Sequence, residues 1–167
     1  RLTIGFVATA ISPYFSEEQK VRIKSENHLK KIIAEYDAKL ICFHKTIFSK
    51  EDSVEAENFF KNKIDFLILQ TSSCSSGEQL YPLCNITNKM GLWAVPDLEN
   101  EGDVKLHSLV SVSHYLGIIK KILHEKKIKT KWFYNYGDTD EFKNKFLITL
   151  RSLVADKKIK QSKIGLV

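Results

Sequence analysis

The stretch Asp65-Phe66-Leu67-Ile68-Leu69-Gln70-Thr71-Ser72-Ser73-Cys74-Ser75-Ser76-Gly77-Glu78-Gln79 opens as a near-continuous apolar run. Continuous rather than alternating hydrophobicity is how a strand covered on both faces reads, and parallel sheets are its usual setting. The run then passes through small hydroxyl residues into Ser76-x-x-Gln79, the form of a capping box that opens a helix. A buried strand leading through a short polar turn into a capped helix is one βα unit.

The same unit recurs in both directions. Leu2–Ala8, Lys39–His44, Phe66–Gln70, Leu92–Val95 and Trp132–Tyr136 are the apolar runs. Between them the spacing predicts a helix from about Glu17 to Tyr36, with Leu29, Ile32, Ile33 and Tyr36 on one face. A second runs from about Lys50 to Asn62, burying Val54 and some of Ala56, Phe59 and Phe60. A third, from about Gly77 to Lys89, presents Leu80, Leu83 and Ile86 or Thr87. A fourth holds Leu109, Val112, Leu116, Ile119, Ile122 and Leu123, and a fifth holds Phe142, Phe146, Leu150 and Leu153. Ser16-x-x-Gln19 repeats the capping-box form, and Asp138 to Glu141 places acids at a helix start. Strict alternation with right-handed crossovers gives an α/β, doubly wound (Rossmann/flavodoxin-like) three-layer sandwich of about five parallel strands, order 2-1-3-4-5.

At 167 residues, 43% hydrophobic and 28% charged, the chain has enough apolar material for one core. Its formal charge of +6 comes almost wholly from lysine, with Arg1, Arg22 and Arg151 the only arginines. Readers of bases and phosphates favour the arginine fork. The lysine-rich stretches at 120–131 and 157–163 fall where helices end, without interleaved stacking aromatics, so nucleic acid is not an expected partner. Cys42, Cys74 and Cys84 are odd in number and lack CxxC spacing, which argues against a disulfide framework or zinc site and for a reducing compartment. No apolar run reaches the length of about 18 residues that a membrane span requires, and no signal peptide is visible, so a cytoplasmic location without membrane contact is expected. Residues 1–162 read as an N-terminal α/β domain. Lys163-Ile164-Gly165-Leu166-Val167 echoes Thr3-Ile4-Gly5-Phe6-Val7, and is expected to be the first strand of a following domain, truncated here.

In an open parallel sheet, ligands gather at the carboxyl ends of the strands. Four turns are expected there. Thr9 to Phe15 has neither GxGxxG nor GxxxxGK[ST], so nucleotide binding loses its main support, and Tyr14 is either loop packing or a ligand contact. Thr71 to Gly77 has serines at a helix start, suited to an anion or a polyol, or simply to a cap and tight turn. Asp97, Glu99, Glu101 and Asp103 alternate in a third loop without the spacing of a calcium site. His107, opening the fourth helix, is a cap, a surface residue or a donor to a sugar hydroxyl. No histidine shows a metal-ligand spacing such as HExxH, and no catalytic constellation is complete.

Taken together and in order, "IGFV", "DFLILQTSSCSSGE" and "GLWAVPDLENEGDVKLHSL" resemble the N-terminal domain of the L-fucose/L-arabinose isomerase superfamily. The most specific element is Leu92-Trp93-Ala94-Val95-Pro96 followed, after a short acidic loop, by Leu106-His107-Ser108-Leu109, where relatives show Asn in place of His107. The resemblance implies the substrate-covering domain of an aldose–ketose isomerase, acting on a monosaccharide with Mn2+. Metal ligands and catalytic carboxylates would lie in later domains, so no catalytic residue is expected in this chain. It also implies a homo-oligomer, trimer or hexamer, in which this domain closes over a neighbouring active site. Tyr14, Ser72, Ser73, Ser75, Trp93 and His107 are the residues expected to line the sugar. The main rival is a non-catalytic sugar-binding lobe of a two-lobed periplasmic or repressor-type protein; a flavodoxin-like electron carrier is a second.

Overall fold

In the computed structural model, which describes residues 1–11, 17–97 and 106–162, each apolar run is a strand of one sheet. Strand β1 (Leu2–Thr9) leads to helix α1 (Glu17–Ala34), β2 (Ala38–Cys42) to α2 (Lys50–Phe60), and β3 (Phe66–Thr71) to α3 (Gly77–Leu83). β4 (Lys89–Ala94) leads to α4 (Ser108–Lys121), and β5 (Lys129–Tyr134) to α5 (Asp140–Gln161). All pairings are parallel and the order is β2-β1-β3-β4-β5, the doubly wound sandwich expected from the sequence.

Strand alternation divides the core in two. On one face Ile4, Phe6, Ile68, Trp93 and Phe133 meet Leu29 and Ile33 of α1 and Phe142, Phe146 and Leu150 of α5. On the other, Val7, Leu67, Leu69, Met90 and Leu92 meet Ala56 and Phe60 of α2, Leu80 and Leu83 of α3, and Val112, Tyr115 and Ile119 of α4. With both faces covered, β1, β3 and β4 have no exposed position, which is why their sequences do not alternate. Gly91 is required by packing: a Cβ there would come within 2.8 Å of the Phe66 ring and 2.9 Å of the Phe133 ring.

Several local expectations are corrected. Helix α3 ends at Leu83 rather than near Lys89, and β4 starts at Lys89 rather than Leu92. Pro82 supplies no amide to the helix ladder, and β-branched Ile86 and Thr87 disfavour its continuation. Val54 is exposed while Ala56 and Phe60 are buried. In α4, Leu109 and Ile122 are exposed and the buried face runs through Ser108, Ser111, Val112, Tyr115, Ile118 and Ile119. Two serines turn inward because the loops beneath need their hydrogen bonds, which rotates the apolar stripe away from Leu109. Helix α2 carries a capping box: Asp52 N–H donates to Ser49 Oγ at 3.1 Å, and Ser49 N–H to Asp52 Oδ2 at 3.2 Å. Ser16 and the strand-like segment 163–167 lie outside the described residues.

Among the described residues no helix is long and apolar enough to cross a membrane. The three cysteines are free thiols, and burial pushes those of Cys42 and Cys84 up to about 12, which holds them in the unreactive form.

At the amino edge of the sheet, Asp65 accepts from Thr3 N–H at 2.7 Å and from Lys157 Nζ at 2.6 Å, joining β1, β3 and α5. Burial works to raise its pKa, but the Lys157 ammonium and the Thr3 amide prevail and hold it below the ordinary 3.8. A depressed carboxylate stabilises the fold above its unfolded pKa, and that contribution fades as pH falls through the lower folded value. Asp65→Asn is therefore expected to lose about 1 kcal/mol near neutral pH, the side chain being partly exposed. The gap from the parent protein should close below pH 3.8, as read from urea midpoints across pH.

Candidate functional site

The strands end in register: Thr9 lies beside Thr71, Thr71 beside Ala94, and Ala94 beside Tyr134. The turns after β1, β3 and β4 therefore leave the sheet side by side along one rim. The chain after β2 joins them, because Ile47 N–H donates to Ala8 O at 2.8 Å and Ala10 N–H to Ile47 O at 3.0 Å.

Beneath this rim the hydroxyl side chains engage one another. Ser75 Oγ donates to Thr9 Oγ1 at 2.9 Å, and Ser75 N–H donates to Ser111 Oγ at 2.9 Å. Ser72 N–H reaches Thr9 O at 2.9 Å, and Ser72 Oγ reaches Gln70 Oε1 at 3.1 Å. Gln70 Nε2 donates in turn to Ser25 Oγ of α1 at 2.7 Å. Thr71 Oγ1 donates to Ser108 O at 2.8 Å, while Ser108 Oγ accepts from Val95 N–H at 2.9 Å and donates to Thr71 O. Gln79, 1% exposed, donates to Ala10 O at 2.7 Å and accepts from Ser76 N–H at 3.0 Å. Such a fully satisfied buried network fixes loop positions before any ligand arrives. Burial pushes the Tyr115 hydroxyl up to about 12; it stays protonated and donates to Ser76 O at 3.1 Å.

The residues expected to line a sugar are distributed differently. Ser72, Ser73 and Ser75 are brought together, but all three are buried, and their hydroxyls bond inside the rim. Trp93 has no exposed surface: its indole lies on the α1/α5 side against Phe142, ring centroids 4.3 Å apart, and Nε1–H donates to Asn135 O at 2.8 Å. His107 is exposed and sits at the start of α4 with φ 52°, its carbonyl accepting from Ser111 N–H at 3.3 Å. Tyr14 lies outside the described residues, as do Glu99, Glu101 and Asp103 of the acidic loop.

A pocket the sequence did not reveal opens at the carboxyl end of β2. It has a volume of about 300 Å³ and is lined by Arg22 and Ile23 of α1, His44, Lys45, Thr46 and Phe48 of the turn, and Asp52 of α2. Two atoms of lining residues, Arg22 Nε and Oγ1 of Thr46, are buried and have no hydrogen-bond partner among the described residues. The charges around them are paired, Arg22 with Glu26 at 3.2 Å and Lys45 with Asp52 at 2.7 Å. Burial acts to raise the Asp52 pKa, but the Lys45 ammonium and the Phe48 and Ser49 amides hold it below the ordinary range. The pocket thus offers donors and acceptors in near balance beside an aromatic ring, a surface suited to a neutral polyhydroxylated molecule more than to a strong anion.

Among the described residues no three His, Cys, Asp or Glu side chains converge to hold a metal ion. Comparison with known proteins found no family model and no curated protein that matches this chain.

Proposed function

We propose that this chain is the substrate-covering domain of an aldose–ketose isomerase of the L-fucose/L-arabinose type, working on a monosaccharide within a homo-oligomer. The observation that carries the reading is the single rim: four turns from distant parts of the sequence leave the sheet together, braced from below, with the β2 pocket opening beside them. A braced rim suits a cover, because a lid that shuts water out must hold its shape while it closes. By the resemblance, the ligands of the manganese ion and the proton-transferring carboxylates belong to later domains. What this domain supplies is orientation and exclusion of water, with Arg22, Thr46 and Asp52 as hydroxyl partners and His107 exposed on the same rim.

The test is interconversion of aldoses and ketoses by the full-length protein with added manganese, across pentoses, hexoses and deoxy sugars. Turnover with at least one is the expected result. Thr46→Val removes a hydroxyl with no hydrogen-bond partner among the described residues, so the fold should be unharmed while KM rises about threefold to tenfold, the loss of one hydrogen bond. Absence of turnover across the panel would remove the isomerase reading, and sugar binding without turnover would favour the two-lobed binding protein.

A further inference from the structure

β5 closes one side of the sheet, and among the described residues no strand lies on its outer edge. Any edge strand presents open backbone N–H and C=O groups to which another strand can add. The side chains around this edge are less ordinary. Lys129 and Lys131 are exposed and two residues apart, so both project to the face on which Phe133 meets α5. With Lys89 of β4 and Lys160 of α5 they surround a groove of about 380 Å³. Its one carboxylate, Asp156, is already held by Lys89 at 2.6 Å and Lys160 at 3.0 Å, which leaves Lys129 and Lys131 without a counter-charge among the described residues. The groove is also partly apolar, through Phe66, Leu153 and Ile148, the last 64% exposed.

Lysines on an edge strand often serve only to prevent unwanted pairing. That accounts for Lys129 and Lys131, but not for an exposed isoleucine in the same groove or for lysines from two further elements. The charge also selects among partners. Two copies of β5 would bring like charges face to face, whereas a strand bearing carboxylates would be drawn in.

We propose that the β5 edge and its groove bind an extended acidic polypeptide segment, which adds to the sheet as a further strand and places carboxylates on alternate residues against Lys129 and Lys131. Side chains opposite one another on adjacent strands stand about 4.5–5.5 Å apart, close enough for such pairs. Backbone hydrogen bonds along the edge supply affinity, and the alternating carboxylates supply selectivity. Residues 97, 99, 101 and 103 of this chain, Asp, Glu, Glu and Asp, have the required spacing in sequence, so a peptide of residues 96–104 is a suitable probe.

The test titrates that peptide, fluorescently labelled, with the intact protein and follows anisotropy at low and high salt. Saturable binding that weakens with salt is expected. Reversing both charges, Lys129→Glu with Lys131→Glu, should weaken it about tenfold or more, and a peptide with Glu99→Lys and Glu101→Lys should recover binding to that variant. Both lysines are exposed, so the fold should survive; Lys129→Gln with Lys131→Gln carries the same prediction at smaller size. No binding of the acidic peptide, equal affinity of a peptide with glutamine and asparagine at the acidic positions, or equal affinity of the reversed protein overturns the proposal. The outcome is independent of sugar turnover.

Discussion

Trp93→Ala is expected to destabilise the fold by about 3–5 kcal/mol, the range for deleting a large aromatic side chain from a closed core. The indole is fully buried between strand and helix, packs against Phe142 at 4.3 Å and Phe6 at 6.3 Å, and donates to the Asn135 carbonyl at 2.8 Å. Its removal leaves a cavity and an unpaired carbonyl at the carboxyl end of β5. Trp93→Phe keeps most of the packing and should cost about 1–2 kcal/mol, largely the lost hydrogen bond and a smaller void. Urea unfolding of the two variants gives both numbers. A loss below about 1 kcal/mol for the alanine variant would overturn the assignment of Trp93 to the core and return it to the candidates for direct sugar contact.

Trp93 also marks the limit of what the sequence disclosed. Strands buried on both faces lose the alternation that tells one face from the other. "LWAV" therefore reveals a strand but not which way Trp93 points. The sheet order and crossovers were legible because continuous apolar runs and helical periodicity recur in strict alternation. The starts of β4 and β5 were not, since Lys89, Lys129 and Lys131 extend those strands past their apolar centres. The serines of the turn after β3 are plain in the sequence, yet whether their hydroxyls face a ligand or one another depends on Thr9, Ser108 and Ser111, which only the fold brings near. The pocket after β2 left no sequence signal: Arg22, Thr46 and Asp52 belong to three elements, and no spacing rule connects them.

The capping box at Ser76-x-x-Gln79 was legible, but the larger task of its glutamine was not. Gln79 Oε1 accepts from Ser76 N–H at 3.0 Å, as the motif requires, and also from the Tyr115 hydroxyl at 3.4 Å. Its Nε2 meanwhile donates to Ala10 O at 2.7 Å and to Ile47 O at 3.3 Å. One amide thus ties the start of α3 to the turns after β1 and β2 and to the middle of α4. Gln79→Leu keeps comparable bulk but leaves the Ala10 carbonyl and the Ser76 amide without this partner in a site that is 1% exposed, while Ile47 O keeps Ala10 N–H and the Tyr115 hydroxyl keeps Ser76 O. Unsatisfied buried groups cost about 1–3 kcal/mol each, and some will find other partners, so a loss of about 2–4 kcal/mol is expected. Hydrogen exchange should quicken at Ala10, Ile47 and Ser76 together, because the three turns share the one support. A variant that lost less than 1 kcal/mol, or whose exchange quickened only at Ser76, would show the glutamine to be a helix cap and no more, leaving the rim without the brace on which a rigid cover depends.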